Sequence, residues 1–265
     1  MKTRCFIVLL SLFLFVSCGE KRTNPLIQEL NDSWVVTTDT LNIKMQVDVP
    51  SVIQADMYEN GLIPHPYKSN VEPQLLWIPQ HEWTYTLDFV ADDYILDEDV
   101  VELVFEGLDT YADVWFNGKK ILHADNMFRT YSYDVKDIIK EKNNIKIKFY
   151  PFDKERDSLI ETYRLRFPEK YAVMRKAAYQ NGWDWAPRYM NMGIWQPVYL
   201  KAWTRSTICS ASVITKDIHD DKVDLFFEAC INADVEHNIS LQLFQEGEKI
   251  LDQNINLTKG TNYYS

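Results

Sequence analysis

An all-β chain of two consecutive sandwiches, a jelly roll followed by a partial immunoglobulin-like unit, is the fold class the sequence predicts. Three observations predict it. Short apolar runs, alternating or continuous, recur between turn signals from Leu41 to Trp203. Helical periodicity is scarce over the same span, which points away from bundles and toward a jelly-roll sandwich. Beyond Thr204, four or five strands follow at spacings of about ten residues, the rhythm of an immunoglobulin-like sandwich.

The elements follow in order. Residues 1–17 read as an export signal: Lys2 and Arg4 make a positive start, and IVLLSLFLFV is apolar but too short to span a bilayer. FVSC then places a small residue directly before Cys18, the arrangement of a lipobox, whose cysteine is acylated; plain signal-peptidase cleavage is the alternative. Residues 18–24 read as a polar, lipid-anchored tether. The expected location is exported, as a periplasmic or outer-membrane lipoprotein that meets the membrane only through its lipid.

Residues 25–205 form the expected jelly roll. IKMQVDVP, EWTYTLDFV, DVVELVFEGL, ADVWFNGKKIL, YSYDV, NIKIKFY and IWQPVYLKAW are its strands. Asn117-Gly118 supplies both positive-φ positions of a tight primed hairpin turn. VKDIIKEK has room for one helical turn, and FDKERDSLIETYRLRF is the one long helical pattern, charged along one side. Residues 206–265 hold the second sandwich, about 60 residues where a complete one takes ~100. That unit is expected to be incomplete.

Composition narrows the function classes. Net charge is -11 with no basic cluster, and losing Lys2 and Arg4 with the signal makes it about -13. A nucleic-acid partner is excluded on charge, since phosphates would be repelled. The five histidines (65, 81, 123, 219 and 237) fall in no metal-binding spacing, and no metal or other cofactor is expected. Cys209 and Cys230 remain after the signal and lipid positions; a disulfide and two small strand residues are both open readings.

The richest stretch is RKAAYQNGWDWAPRYMNMGIWQPVYLKAW, residues 175–203, which sets Asp184 between Trp183 and Trp185. Sugars present apolar C–H faces and rings of hydroxyls, so their sites pair aromatic platforms with carboxylates. An acid buried against indoles needs partners, because an unpaired desolvated charge is costly. Ligand hydroxyls could supply them, as could Arg188 or Arg175; in the plain alternative, the indoles are core and Asp184 pairs with Arg188. FEGLDTYADVWFNGKKILHADNMFRTYSYDV places Asn126 and Arg129 on a rim loop, within reach of a ligand or, alternatively, serving their own turn and a surface acid. Trp77, Glu82 and Trp83 read as core and rim packing.

These segments resemble the N-terminal, galactose-binding-like domain of family-two glycoside hydrolases. FEGLDTYADVWFNGKKI, NMFRTYSYDV and GIWQPVYL carry the likeness, and RKAAYQNGWDWAPR is similar to the β-mannosidase branch. Ala186 stands where that branch usually has Gly, and Gln196 where it has Arg. The resemblance implies a retaining exo-glycosidase releasing terminal β-D-mannose. It implies further that the jelly roll lends a wall to the -1 subsite of a (β/α)₈ barrel. Asp184 would bind the mannoside hydroxyls, Trp183 and Trp185 would shape the pocket, and Asn126 would bring an amide, with Arg129 beside it. Retaining hydrolysis needs two carboxyl groups ~5 Å apart, which the resemblance places on the barrel, its acid/base Glu following an Asn. This sequence has no Asn-Glu pair and no barrel pattern. No catalytic residue is therefore expected in it, and it is expected to be inactive alone. A non-catalytic mannoside-binding lipoprotein and a purely structural sandwich are the other readings.

Overall fold

The computed structural model describes residues 25–264, except residue 69 and residues 165–169. The export signal and the whole tether, Cys18 included, lie outside the described residues.

Twelve strands build the first unit. They are β1 (Leu26–Glu29), β2 (Trp34–Thr38), β3 (Ile43–Val47), β4 (Trp83–Val90), β5 (Val100–Phe105) and β6 (Leu108–Asp109). Then come β7 (Ala112–Phe116), β8 (Lys119–Ala124), β9 (Tyr131–Asp134), β10 (Lys142–Phe149), β11 (Gly193–Ile194) and β12 (Val198–Trp203). Two antiparallel sheets result, one in the order β1-β12-β5-β9 and one in the order β3-β2-β4-β10-β7-β8.

Period-two patterning explains why these runs became strands. In β4, Trp83, Tyr85 and Leu87 point inward while Thr84, Thr86 and Asp88 do not; in β10 the inward set is Asn143, Ile145, Ile147 and Phe149. Val101, Leu103 and Phe105 of β5 and Val198, Leu200 and Ala202 of β12 meet them from the other sheet, in one buried cluster. Each Val, Leu, Ile or Phe among them contributes about 1.5–3 kcal/mol when fully buried. The two core indoles keep their N–H groups satisfied: Trp34 Nε1 donates to Leu30 O at 2.7 Å, and Trp83 Nε1 to Ile78 O at 2.9 Å. Trp77 packs partly buried against this core, and Glu82 pairs with Lys148 at the surface. Asn117 and Gly118 sit at φ 49° and 82°, the primed turn between β7 and β8.

The structure adds to the sequence reading in three places. β1 and β2 precede the first strand the sequence singles out; both are short, and only β2 alternates clearly. Helix α1 (Ile53–Glu59) interrupts the strands and buries Ile53, Gln54, Asp56 and Met57. Helices α2 (Glu72–Leu75) and α3 (Asp93–Leu96) are single turns. The long helical pattern folds as α4 (Phe152–Tyr163), capped by Arg164 at φ 50°. At 135–139 the chain makes one turn, Val135 O accepting from the N–H groups of Ile138 and Ile139.

The second unit comprises β13 (Ser206–Ile218), β14 (Val223–Ala233), β15 (His237–Gln245), β16 (Glu248–Leu257) and β17 (Gly260–Tyr264). β13-β14-β17 form one sheet and β15-β16 another. Their buried core is small: Ala229, Ile231, Ala233, Ile255 and Leu257. Much apolar surface on these strands stays open, including Val213, Ile218, Leu225, Phe244 and Ile250.

Candidate functional site: a tryptophan-flanked carboxylate on a buttressed turn

Between α4 and β12 the chain has little regular structure, so something other than ladder hydrogen bonds must hold it. A buried polar network does so. Lys176 Nζ lies 2.5 Å from Asp109 Oδ1 and 2.5 Å from Asn191 O, with the two side chains only 2% and 1% exposed. Gln180 Nε2 donates to the other oxygen of Asp109 at 2.9 Å, and Gln180 Oε1 accepts from Asn191 N at 2.9 Å. β11 closes the arrangement by pairing with β6, Gly193 opposite Asp109. Burial pulls the Lys176 ammonium below its ordinary pKa, and the Asp109 carboxylate opposes that pull. Removing one partner would leave the other charged and dry, which costs about 3–5 kcal/mol.

On this foundation stands the turn. Trp183 N donates to Ala186 O at 3.2 Å and Ala186 N to Trp183 O at 3.1 Å, so Asp184 and Trp185 form the tip of a two-residue loop. Ala186, in place of the usual glycine, is not at positive φ and fits this turn unstrained. The tip stands in solvent: Trp183 is 65% exposed and Trp185 83%. Asp184 is exposed too, and neither a hydrogen bond nor an ion pair engages it among the described residues. Both indoles project outward rather than into the core, so the alternative in which they are core residues is not realised.

The plain alternative for Asp184 is not realised either. Arg188 does not pair with it; its guanidinium carbon lies 5.5 Å from the centre of the Tyr171 ring, and its Nε is buried without a hydrogen-bond partner. Arg188, Glu72, Trp183, Asp184, Trp185 and Pro187 line one broad open depression. Chemically, it offers carboxylate acceptors, indole faces and a guanidinium on one surface. That combination suits a polyhydroxylated ligand.

Asn126 and Arg129 occupy the neighbouring loop. Met127 N donates to Arg175 O at 2.9 Å, Asn126 bridges Arg175 through the backbone, and Trp195 Nε1 donates to Met127 O at 3.0 Å. The loop is thus fastened to the base of the tryptophan segment. Asn126 Oδ1 accepts from Phe128 N at 3.0 Å, so part of this amide serves its own turn. The Arg129 guanidinium lies 5.9 Å from the Tyr131 ring centre and has no acid partner among the described residues. No hydrogen bond links Asn126 or Arg129 to Asp184; the structure brings the two loops together at Arg175, not at the turn tip.

The sequence reading passed over Asp109, Lys176 and Gln180. No local pattern marks them, since Arg175 adjoins Lys176, Thr110 adjoins Asp109, and 67 residues separate the pair.

Comparison with known proteins gives this site its context. Residues 31–196 match the family model described as glycosyl hydrolase 2 galactose-binding domain-like. Beta-mannosidase of Mus musculus is 29% identical over 187 residues, covering 66% of this chain and 21% of that protein. Beta-mannosidase A of Emericella nidulans is 33% identical over 180 residues, covering 63% and 19%. The crystal structure of beta-D-mannosidase from Dictyoglomus thermophilum superposes with a TM-score of 0.76 at 27% identity, covering 90% of this chain and 30% of that one. The chain thus spans about a fifth of the length of the curated relatives it matches. With more than half of its residues inside that match, the chain belongs to glycoside hydrolase family two, as an N-terminal galactose-binding-like portion of that architecture.

Proposed function

We propose that this chain supplies the N-terminal wall of a β-mannoside site, in an exported, lipid-anchored retaining exo-β-mannosidase whose chemistry belongs to a (β/α)₈ barrel. The exposed, unpartnered carboxylate of Asp184, held between two exposed indoles, carries the reading. A protein gains nothing in folding from such a group, whereas a sugar seated across the turn would meet acceptor oxygens and two apolar faces at once. Relatives named as beta-mannosidases support the choice of sugar. In this role Asp184 accepts hydrogen bonds from the mannose hydroxyls, Trp183 and Trp185 enclose them, and Asn126 and Arg129 border the same wall.

The step itself needs two further carboxyl groups set against each other across the glycosidic bond, one nucleophile and one acid/base. Asp184 binds and orients; it does not cleave. The chain alone is therefore expected not to hydrolyse an aryl β-mannoside.

A chimera tests the reading. Residues 25–205 replace the matching N-terminal segment of the Dictyoglomus thermophilum enzyme, and the hybrid is assayed with and without Asp184→Ala. Loss of two charge-assisted hydrogen bonds should lower kcat/KM by about 100-fold. A hybrid that folds, turns over and is indifferent to the substitution would sink the proposal. Titration of the unfused chain with mannobiose separates the alternative: sub-millimolar binding abolished by Asp184→Ala identifies a stand-alone mannoside-binding module instead.

A further inference from the structure

Cys209 and Cys230 lie outside the site, on the neighbouring strands β13 and β14 of one sheet in the second unit. β13 and β14 pair antiparallel, with Ile208 opposite Ile231 and Ser210 opposite Cys230; the register slips between Ile208 and Ser210. Cys209 is the extra residue of that bulge. In a bulge, two residues of one strand oppose a single residue of the other, so Cys209 and Ser210 together oppose Cys230. Both cysteines are free, Cys209 exposed and Cys230 half-buried. Neighbouring strands lie close enough for a disulfide to form without moving the backbone far.

We propose that Cys209 and Cys230 form a latent cross-strand disulfide, a modification site that pins β13 to β14 at the bulge. The reaction partner is a low-molecular-weight disulfide. One cysteine thiolate attacks it, forming a mixed disulfide and expelling one small thiol. The second cysteine thiolate attacks the mixed disulfide, forming the Cys209–Cys230 bond and expelling the second thiol. Two cysteine thiols are oxidised, one disulfide is reduced, and the two protons end on the released thiols. Bonding here has a physical use: five buried residues make up the core of this unit, and a cross-link restricts its unfolded ensemble where packing contributes least.

The Cys209 environment also sets the pace. Burial first, then the neighbouring Cys230, push its thiol up to about 11, with the Asn232 backbone and then Lys201 opposing. The thiolate fraction therefore rises about tenfold per pH unit between pH 7 and 9.

The experiment incubates the full-length chain with oxidised glutathione, blocks remaining thiols and digests with trypsin without reduction. Peptides 206–216 and 223–249 should appear joined, at a mass about 2 Da below their sum, for the two hydrogens lost. Joining should accelerate about tenfold from pH 7 to pH 8. Cys209→Ser and Cys230→Ser should each abolish the joined species, and the oxidised chain should melt at a higher temperature than either variant. Persistent separate glutathione adducts on the two peptides, or joining that occurs only in denaturant, would overturn the proposal.

Discussion

Asp56 shows how a single residue ties the fold to solution conditions. Its carboxyl is 1% exposed and accepts from Ser51 Oγ at 2.5 Å and from Tyr85 OH at 3.1 Å. Burial dominates these bonds and raises its pKa from 3.8 to about 6. Because the folded pKa exceeds the unfolded one, the native state holds the proton longer, and stability falls as pH rises through that window. The full effect is roughly 3 kcal/mol, complete above about pH 6. Urea unfolding of the wild type and of Asp56→Asn at pH 4 and pH 6.5 checks this. The variant should show a decline smaller by about 2 kcal/mol, since part of the effect is already spent at pH 4, and equal declines would contradict it. Sequence gave little warning of this residue. The sequence does not single out SVIQADMYENG, and only the contact of Asp56 on α1 with Tyr85 reveals its burial.

Elements differ in how openly they were written. β4 and β10 were legible because alternation maps directly onto a half-buried strand, and Asn117-Gly118 because only such a pair suits a primed turn. The segment from Lys176 to Asn191 was not, since its order comes from side chains reaching Asp109 rather than from any period. β11 has the same dependence on distant contacts. Gly193 has φ of 150°, and a Cβ there would lie 2.8 Å from Ser51 O and 3.0 Å from Tyr85 OH and Val52 Cα. Gly193→Ala should therefore destabilise by roughly 2–4 kcal/mol, through strain and displaced backbone. Its midpoint in urea should drop accordingly, whereas Gly118→Ala, with open space around its Cβ, should cost less.

At the scale of the molecule, the two units differ sharply in how much they bury, and a smaller cluster of Tyr111, Phe152, Met174 and Met190 lies beside the first core. The jelly-roll cluster runs from Leu26 to Ala202, while the second unit buries five residues. Stability follows buried apolar area, so the second unit should open first. Hydrogen exchange should deprotect β13–β17 before β4 and β10, and calorimetry should resolve two transitions; a single transition with uniform exchange would refute this. The family match was legible in the tryptophan segment, because few other needs place an acid between two indoles. That Arg188 does not pair with this acid was not legible, since residue types do not reveal which cation a turn brings near.

The turn around Asp184 separates two duties between different residues. Its outward tip, Asp184 and Trp185, has no hand in the Lys176–Asp109 anchorage beneath. Descendants of this chain can therefore change their taste in ligands by rewriting the tip while the anchorage passes on intact, much as a tool bit is exchanged in an unaltered handle.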